Sequence, residues 1–160
     1  MAKKPIQFQL NGSGQAIFAE EGSNLLDVLR RGVGDLSPKY GCGQGTCGTC
    51  TVLVNGEPRL SCLTLAETVE GQSVETTAGL AHGPQLHALQ HAFMDNFAAQ
   101  CGYCTPGMLM AAKALLDRNP SPSREDVVEA ISGNICRCTG YEPIINAVLA
   151  AAQSGGRRYG

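Results

Sequence analysis

The sequence predicts an α+β fold in two parts, a small mixed sheet followed by a helical bundle. Three observations predict it. Strand-like alternation fills the first half, helical periodicity takes over near residue 85, and eight cysteines divide into two groups of four, one group in each half. Each half has only about 75 residues, a size at which one apolar core seldom supplies more than a few kcal/mol. A metal centre in each half would supply the missing stability, because metal-binding free energy is then folding free energy.

In chain order, "IQFQL" puts Ile6, Phe8 and Leu10 on one face of a strand. After the turn "NGSG", the run "QAIFAE" returns as the second strand of a hairpin. "SNLLDVLRR" reads as a helix, with Ser23 as its N-cap and Leu25, Leu26, Val28 and Leu29 apolar. The β-branched run "TVLV", Thr51 to Val54, is the next strand; the turn "NGEP" follows, then "RLSC" and "SVETT". This sheet unit spans 1–77, and 78–84, "AGLAHGP", reads as a connector. The helical unit spans 85–153. Leu86, Leu89, Phe93 and Phe97 mark its first helix, and Pro106 opens the second, through "GMLMAAKALLDR". Ser123 with Asp126 resembles a capping pair for the third, which Gly133 stops. Thr139 with Glu142 and Pro143 opens the last, "EPIINAVLAAA". Four short helices suggest a bundle. Residues 154–160 read as a loose tail.

Composition excludes several functions. Charged residues make up 16% of the chain and the net charge is −2, where a nucleic-acid partner would want a basic stripe. With no Trp and 5% aromatic residues, a base-stacking platform is not expected. No apolar run approaches the roughly 18 residues that span a bilayer, and "MAKKPIQFQL" has no apolar core of a signal peptide. The expected compartment is the cytoplasm, where thiols stay reduced unless something ligates them. That weakens the reading of eight cysteines as four disulfides.

Cys42, Cys47 and Cys50 have the spacing C-x4-C-x2-C, and Cys62 follows on a separate segment. This is the plant-type [2Fe-2S] pattern. Structural zinc would favour paired C-x2-C knuckles on both sides. The loop is rich in glycine, and Gly41, Gly43, Gly45 and Gly48 permit positive φ and close approach. Backbone N–H groups can then turn inward onto sulfur and tune the potential.

Cys101 and Cys104 form C-x2-C just before the helix that Pro106 opens; Cys136 and Cys138 form C-x-C just before the last helix. All four would sit near helix N-termini, where the dipole and free N–H groups favour thiolates. Spacing alone leaves zinc and iron–sulfur both open for this group, with C-x-C uncommon in zinc knuckles.

"GCGQGTCGTCTV", then "QCGYCTPGM", then "GNICRCTGY" follow one another along the chain. In that order they resemble the small iron–sulfur subunit of the molybdenum hydroxylases, the family of xanthine dehydrogenase, aldehyde oxidoreductase, isoquinoline and quinoline oxidoreductases and carbon monoxide dehydrogenase. The resemblance covers roughly residues 3 to 152, and no ligand position departs from the pattern. It implies an N-terminal β-grasp domain like plant ferredoxins, followed by a C-terminal four-helix-bundle domain. Cys42, Cys47, Cys50 and Cys62 would hold one [2Fe-2S] cluster, with Gly43, Gly45 and Gly48 supplying backbone around it. Cys101, Cys104, Cys136 and Cys138 would hold a second, next to the molybdopterin–molybdenum cofactor of a large partner subunit. Gln100 matches the position whose amide contacts the pterin, and Cys138 the cysteine whose sulfur approaches it. Electrons would leave through the first cluster to an FAD-binding subunit or a cytochrome.

The implied function is electron transfer inside an oxidoreductase, with no catalytic site on this chain itself. The alternative is a free-standing two-cluster ferredoxin or a zinc-held binding module. Among other features, His87 and His91 stand i, i+4, but no third metal ligand is evident. Met108 and Met110 read as helix core, and Tyr103 and Tyr141 either as packing around the second cysteine group or as ordinary amphipathic packing.

Overall fold

Two antiparallel strands, β1 (Lys3–Leu10) and β2 (Ser13–Glu20), open the computed structural model, which describes residues 3–154. The expected loose tail lies, from residue 155 onward, outside the described residues. Asn11 (φ 51°) and Gly12 (φ 81°) make the β1–β2 turn. Two successive left-handed residues match the right-handed twist of the strands they join. Asn55 and Gly56 repeat the device between β3 (Thr51–Val54) and β4 (Glu57–Leu60). Strand β5 (Ser73–Glu75) lies between the hairpins, parallel to β1 and antiparallel to β3. The sheet order is β2-β1-β5-β3-β4. Ile6, Phe8 and Leu10 all point into one core, where they join Val52, Val74 and Leu29.

Helix α1 (Leu25–Asp27) crosses this core but departs from the expected form in two ways. Its N-cap is Asn24, whose side-chain oxygen accepts the Asp27 N–H at 2.8 Å. Ser23 is engaged elsewhere: its N–H donates to Glu20 and its carbonyl accepts from Ala66. Beyond Asp27 the helix widens into a π-helical segment, Val28–Val33, which Gly34 ends at φ 87°. Strand β4 also stops at Leu60, short of the expected "RLSC". Ser61 turns its hydroxyl to the Cys50 carbonyl at 2.7 Å.

The second half contains α2 (Ala88–Asp95), α3 (Thr105–Arg118), α4 (Arg124–Ile131) and α5 (Glu142–Gln153). Leu89, Phe93, Met108, Met110, Ile144 and Val148 fill its core. Ser123 and Asp126 cap α4 reciprocally, as their spacing implied. Leu86 and Phe97 flank α2 rather than belonging to it. His87 takes the N-cap, its ring nitrogen accepting the Leu89 N–H at 3.2 Å, and Phe97 sits past the end at φ 54°. The N-cap of α5 is Tyr141 at φ 70°, not Thr139.

The halves pack on each other. Leu53 of β3 is fully buried in the helical core. The Lys113 ammonium on α3 reaches Glu75 of β5 at 3.5 Å and Asp117 at 2.5 Å. Thr77 donates to the Pro106 carbonyl at 3.0 Å, and the Tyr103 hydroxyl to the Tyr40 carbonyl at 2.6 Å. No helix among the described residues is long and apolar enough to cross a membrane.

Candidate metal centres

The glycine loop curls around the Cys42 sulfur, which accepts the N–H groups of Gln44 at 3.4 Å and Thr46 at 3.3 Å. The Thr46 side chain and these amides hold the Cys42 thiol down at about 5. Cys47 lies 3.3 Å from the Thr49 hydroxyl, which also reaches the Lys39 carbonyl. Cys50 and Cys62 are buried with Leu26. Burial, and then the Cys50 thiol, push Cys62 up to about 11, against a hydrogen bond from the Gly45 amide. Gly43, Gly45 and Gly48 take positive φ as expected; Gly41 does not, and serves close approach instead.

In the second group Cys104 is the N-cap residue of α3 and Cys136 is buried. Burial, followed by Cys136, pushes Cys104 up to about 12. Burial also raises Cys136, but donors from Thr139 outweigh it and the thiol lies below its ordinary value. The Thr139 hydroxyl is 3.1 Å from the Cys136 sulfur and its N–H 3.5 Å. Thr139 therefore serves the site, where its spacing had suggested a helix cap. The Tyr141 hydroxyl accepts the Cys136 N–H at 3.0 Å, and the Tyr141 backbone is left-handed at φ 70°. Cys101, with Cys138 3.5 Å from it, is exposed, as are Cys138 itself and Gln100. The Tyr103 amide holds Cys101 low, and Cys101 in turn raises Cys138.

Both groups associate in twos. Cys42 interacts with Cys47 and Cys50 with Cys62; Cys101 interacts with Cys138 and Cys104 with Cys136. Between the pairs, charge effects run from Cys42 to Cys62 and from Cys101 to Cys104. A tetrahedral zinc ion would draw four ligands to one point. Among the described residues no three His, Cys, Asp or Glu side chains are placed to hold a single ion. Two pairs of thiols fit a binuclear cluster, which takes two thiolates on each iron. The amides aimed at Cys42 and the hydroxyl aimed at Cys136 fit the anionic sulfur such a cluster carries.

The two sets share a wall. The Ile135 N–H donates to the Cys47 carbonyl at 2.9 Å, joining a residue of the first set to the neighbour of Cys136. Beside it, buried Asn134 donates from Nδ2 to the Gly48 carbonyl at 2.9 Å and to the Thr51 hydroxyl at 3.3 Å. A Cβ on Gly48 would collide with the Gly133 carbonyl and lie 2.7 Å from the Asn134 amide nitrogen. Sequence reasoning missed Asn134. Its only signal was a polar residue inside "GNIC", between a helix stop and Cys136. His87 is occupied in capping α2.

Comparison with known proteins matches residues 8–81 to the 2Fe-2S iron-sulfur cluster binding domain and residues 76–149 to the [2Fe-2S] binding domain. The nicotinate dehydrogenase small FeS subunit of Eubacterium barkeri is 46% identical over 153 residues, covering 96% of this chain and 98% of that one. A chain in the crystal structure of quinoline 2-oxidoreductase from Pseudomonas putida 86 superposes with a TM-score of 0.93 at 47% identity, covering 96% of each. The aldehyde oxidoreductase of Desulfovibrio desulfuricans superposes at 0.92 and 43% identity over 96% of this chain. There the match takes up only 18% of the longer chain, so the similar segment is one part of a larger polypeptide.

Proposed function

The chain belongs to the small iron–sulfur subunits of the molybdenum hydroxylases, and from that premise we propose how its two cysteine sets carry electrons through such an enzyme. Cys42, Cys47, Cys50 and Cys62 hold one [2Fe-2S] cluster in a β-grasp domain, residues 1–77. Cys101, Cys104, Cys136 and Cys138 hold the other in a four-helix bundle, residues 85–153, with 78–84 as connector. Each cluster, when bound, supplies a one-electron site. Everything else this chain contributes is position and environment. The amides of Gln44 and Thr46 and the Thr139 hydroxyl offer hydrogen bonds to ligand sulfur, and burial of Cys50, Cys62 and Cys136 keeps water from that side.

Exposure and resemblance together support a direction of flow. Cys101, Cys138 and Gln100 form the exposed edge of the second set. In this reading that edge faces the molybdopterin of a large subunit, with Gln100 and Cys138 nearest the pterin. Electrons enter there, cross the shared wall and leave from the first set to an FAD-binding subunit or a cytochrome. The observation that carries the reading is the 2.9 Å hydrogen bond from the Ile135 N–H to the Cys47 carbonyl, a short bonded connection between the sets. In this reading the chain works in the cytoplasm, where thiols stay reduced until something ligates them. The oxidised carbon belongs to the large subunit's substrate, so this chain does not select it.

Gentle purification from its native host tests the reading. The expected product is a stoichiometric complex with a larger molybdenum-containing chain. A single 16.7 kDa species carrying both clusters, with no such partner, would support the free-standing ferredoxin instead.

A further inference from the structure

Among the described residues, four other than glycine have positive φ: Asn11, Asn55, Phe97 and Tyr141. The two asparagines make Asn-Gly hairpin turns, where their side chains tolerate this conformation. Tyr141 uses it to bring its hydroxyl to the Cys136 amide. Phe97 has no such return among the described residues. It follows α2 at φ 54°, the position that glycine usually takes at a helix C-terminus. The bonds that close the helix, Phe97 N–H to Met94 and Ala98 N–H to Phe93, are made by backbone and need no ring. The residue is 82% exposed. A strained backbone and an apolar ring in water both oppose stability of the isolated chain.

Phe97 and Met94, itself 64% exposed, border an apolar groove of about 450 Å³ floored by Leu86, Phe93 and Leu109. Three and four residues on stand Gln100 and Cys101, the edge through which electrons enter in the reading above. In the aldehyde oxidoreductase the similar segment is joined by peptide bonds to the rest of that polypeptide. A separate subunit must obtain the same placement from surface contacts. Exposed aromatic residues that cost the free monomer stability are the type that dominates interface energetics.

We propose that Phe97 is an anchor for the large subunit, its ring seated in an apolar pocket of that partner beside the second cysteine set. The proposal rests on the electron-relay reading and adds a residue to it. The helix end presents the ring outward, and the left-handed turn sets the direction in which it projects. Met94 extends the apolar contact along α2.

The test uses the molybdenum-bearing large chain separated from the wild-type complex, titrated with the cluster-loaded small chain and followed by sedimentation velocity. Phe97→Gly and Phe97→Asn both accept the left-handed backbone. Each is expected to bind the large chain about tenfold to a hundredfold more weakly, the range of a lost interface anchor. Each free variant should melt at or above the wild-type temperature with both cluster signals intact. Wild-type affinity in both variants would overturn the proposal. So would a lower melting temperature of free Phe97→Gly, which would make Phe97 a support of this chain's own fold. Loss of self-association in place of partner binding would assign the patch to a second copy and also overturn it. Failure of the wild-type chain itself to bind any molybdenum-bearing chain would instead remove the relay reading, and this proposal with it.

Discussion

Gly48→Ala probes the junction on which the relay depends. Gly48 is buried at φ 70°, and an added Cβ meets the Gly133 carbonyl and the Asn134 backbone, neither the end of a flexible side chain. Left-handed strain costs ~1–2 kcal/mol for a residue with a Cβ. Overpacking against backbone adds ~1–3 kcal/mol, so the sum is roughly 2–5 kcal/mol. For a chain of this size each kcal/mol shifts the melting temperature by ~2–4 °C, which predicts a fall of roughly 4–20 °C. Gly56→Ala is the control. Its φ is 81°, but nothing lies within 4 Å of the added methyl, so only the strain of ~1–2 kcal/mol remains. Thermal unfolding of both cluster-loaded variants, followed by visible absorption, measures the difference. Gly48→Ala should also disturb the cluster at Cys136 before unfolding, because Asn134 and Ile135 must move. Equal melting temperatures for the two variants would refute the claim that Gly48 is where the halves close on each other.

Thr139→Val removes the hydroxyl 3.1 Å from the Cys136 sulfur. A hydrogen bond of ~1 kcal/mol, at ~59 mV per 1.4 kcal/mol for one electron, predicts a potential about 40 mV lower for that cluster alone. An unchanged potential in a redox titration would mean the hydroxyl does not tune it. Lys113→Met removes the ion pairs to Asp117 and Glu75. Burial depresses the ammonium, but Asp117 and then Glu75 outweigh it and raise its pKa above 10.5. Its contribution is therefore complete below pH 10.5 and fades as pH rises through the folded value. Urea unfolding should show a deficit of about 1 kcal/mol at neutral pH that shrinks in alkali; a deficit independent of pH would contradict the ion-pair account.

Much of the fold was legible because it rests on local pattern. Ile6, Phe8 and Leu10 alternate and are buried together, Pro106 lies in the first turn of α3, and Ser123 caps α4. These signals lie within a few residues of one another. The errors arose where distant segments compete for a local group. Ser23 lost the capping role because Ala66 claims its carbonyl. Thr139 was drawn to sulfur instead of a helix end, and "RLSC" ended early because Ser61 bonds back to Cys50. At the site, cysteine spacing conveyed the two groups. It could not convey the bridge through Asn134 and Ile135, since those contacts span more than eighty residues in sequence.

The central claim is that two independent thiol sets each hold a [2Fe-2S] cluster within electron-transfer reach of the other. EPR of the reduced chain with single cysteine replacements tests it most directly. The account predicts two distinct signals in the wild type, broadened by mutual magnetic interaction. Cys104→Ser should remove one signal and sharpen the other, and Cys50→Ser should do the converse. A single signal in the wild type, or two signals that persist in both variants, would contradict the account.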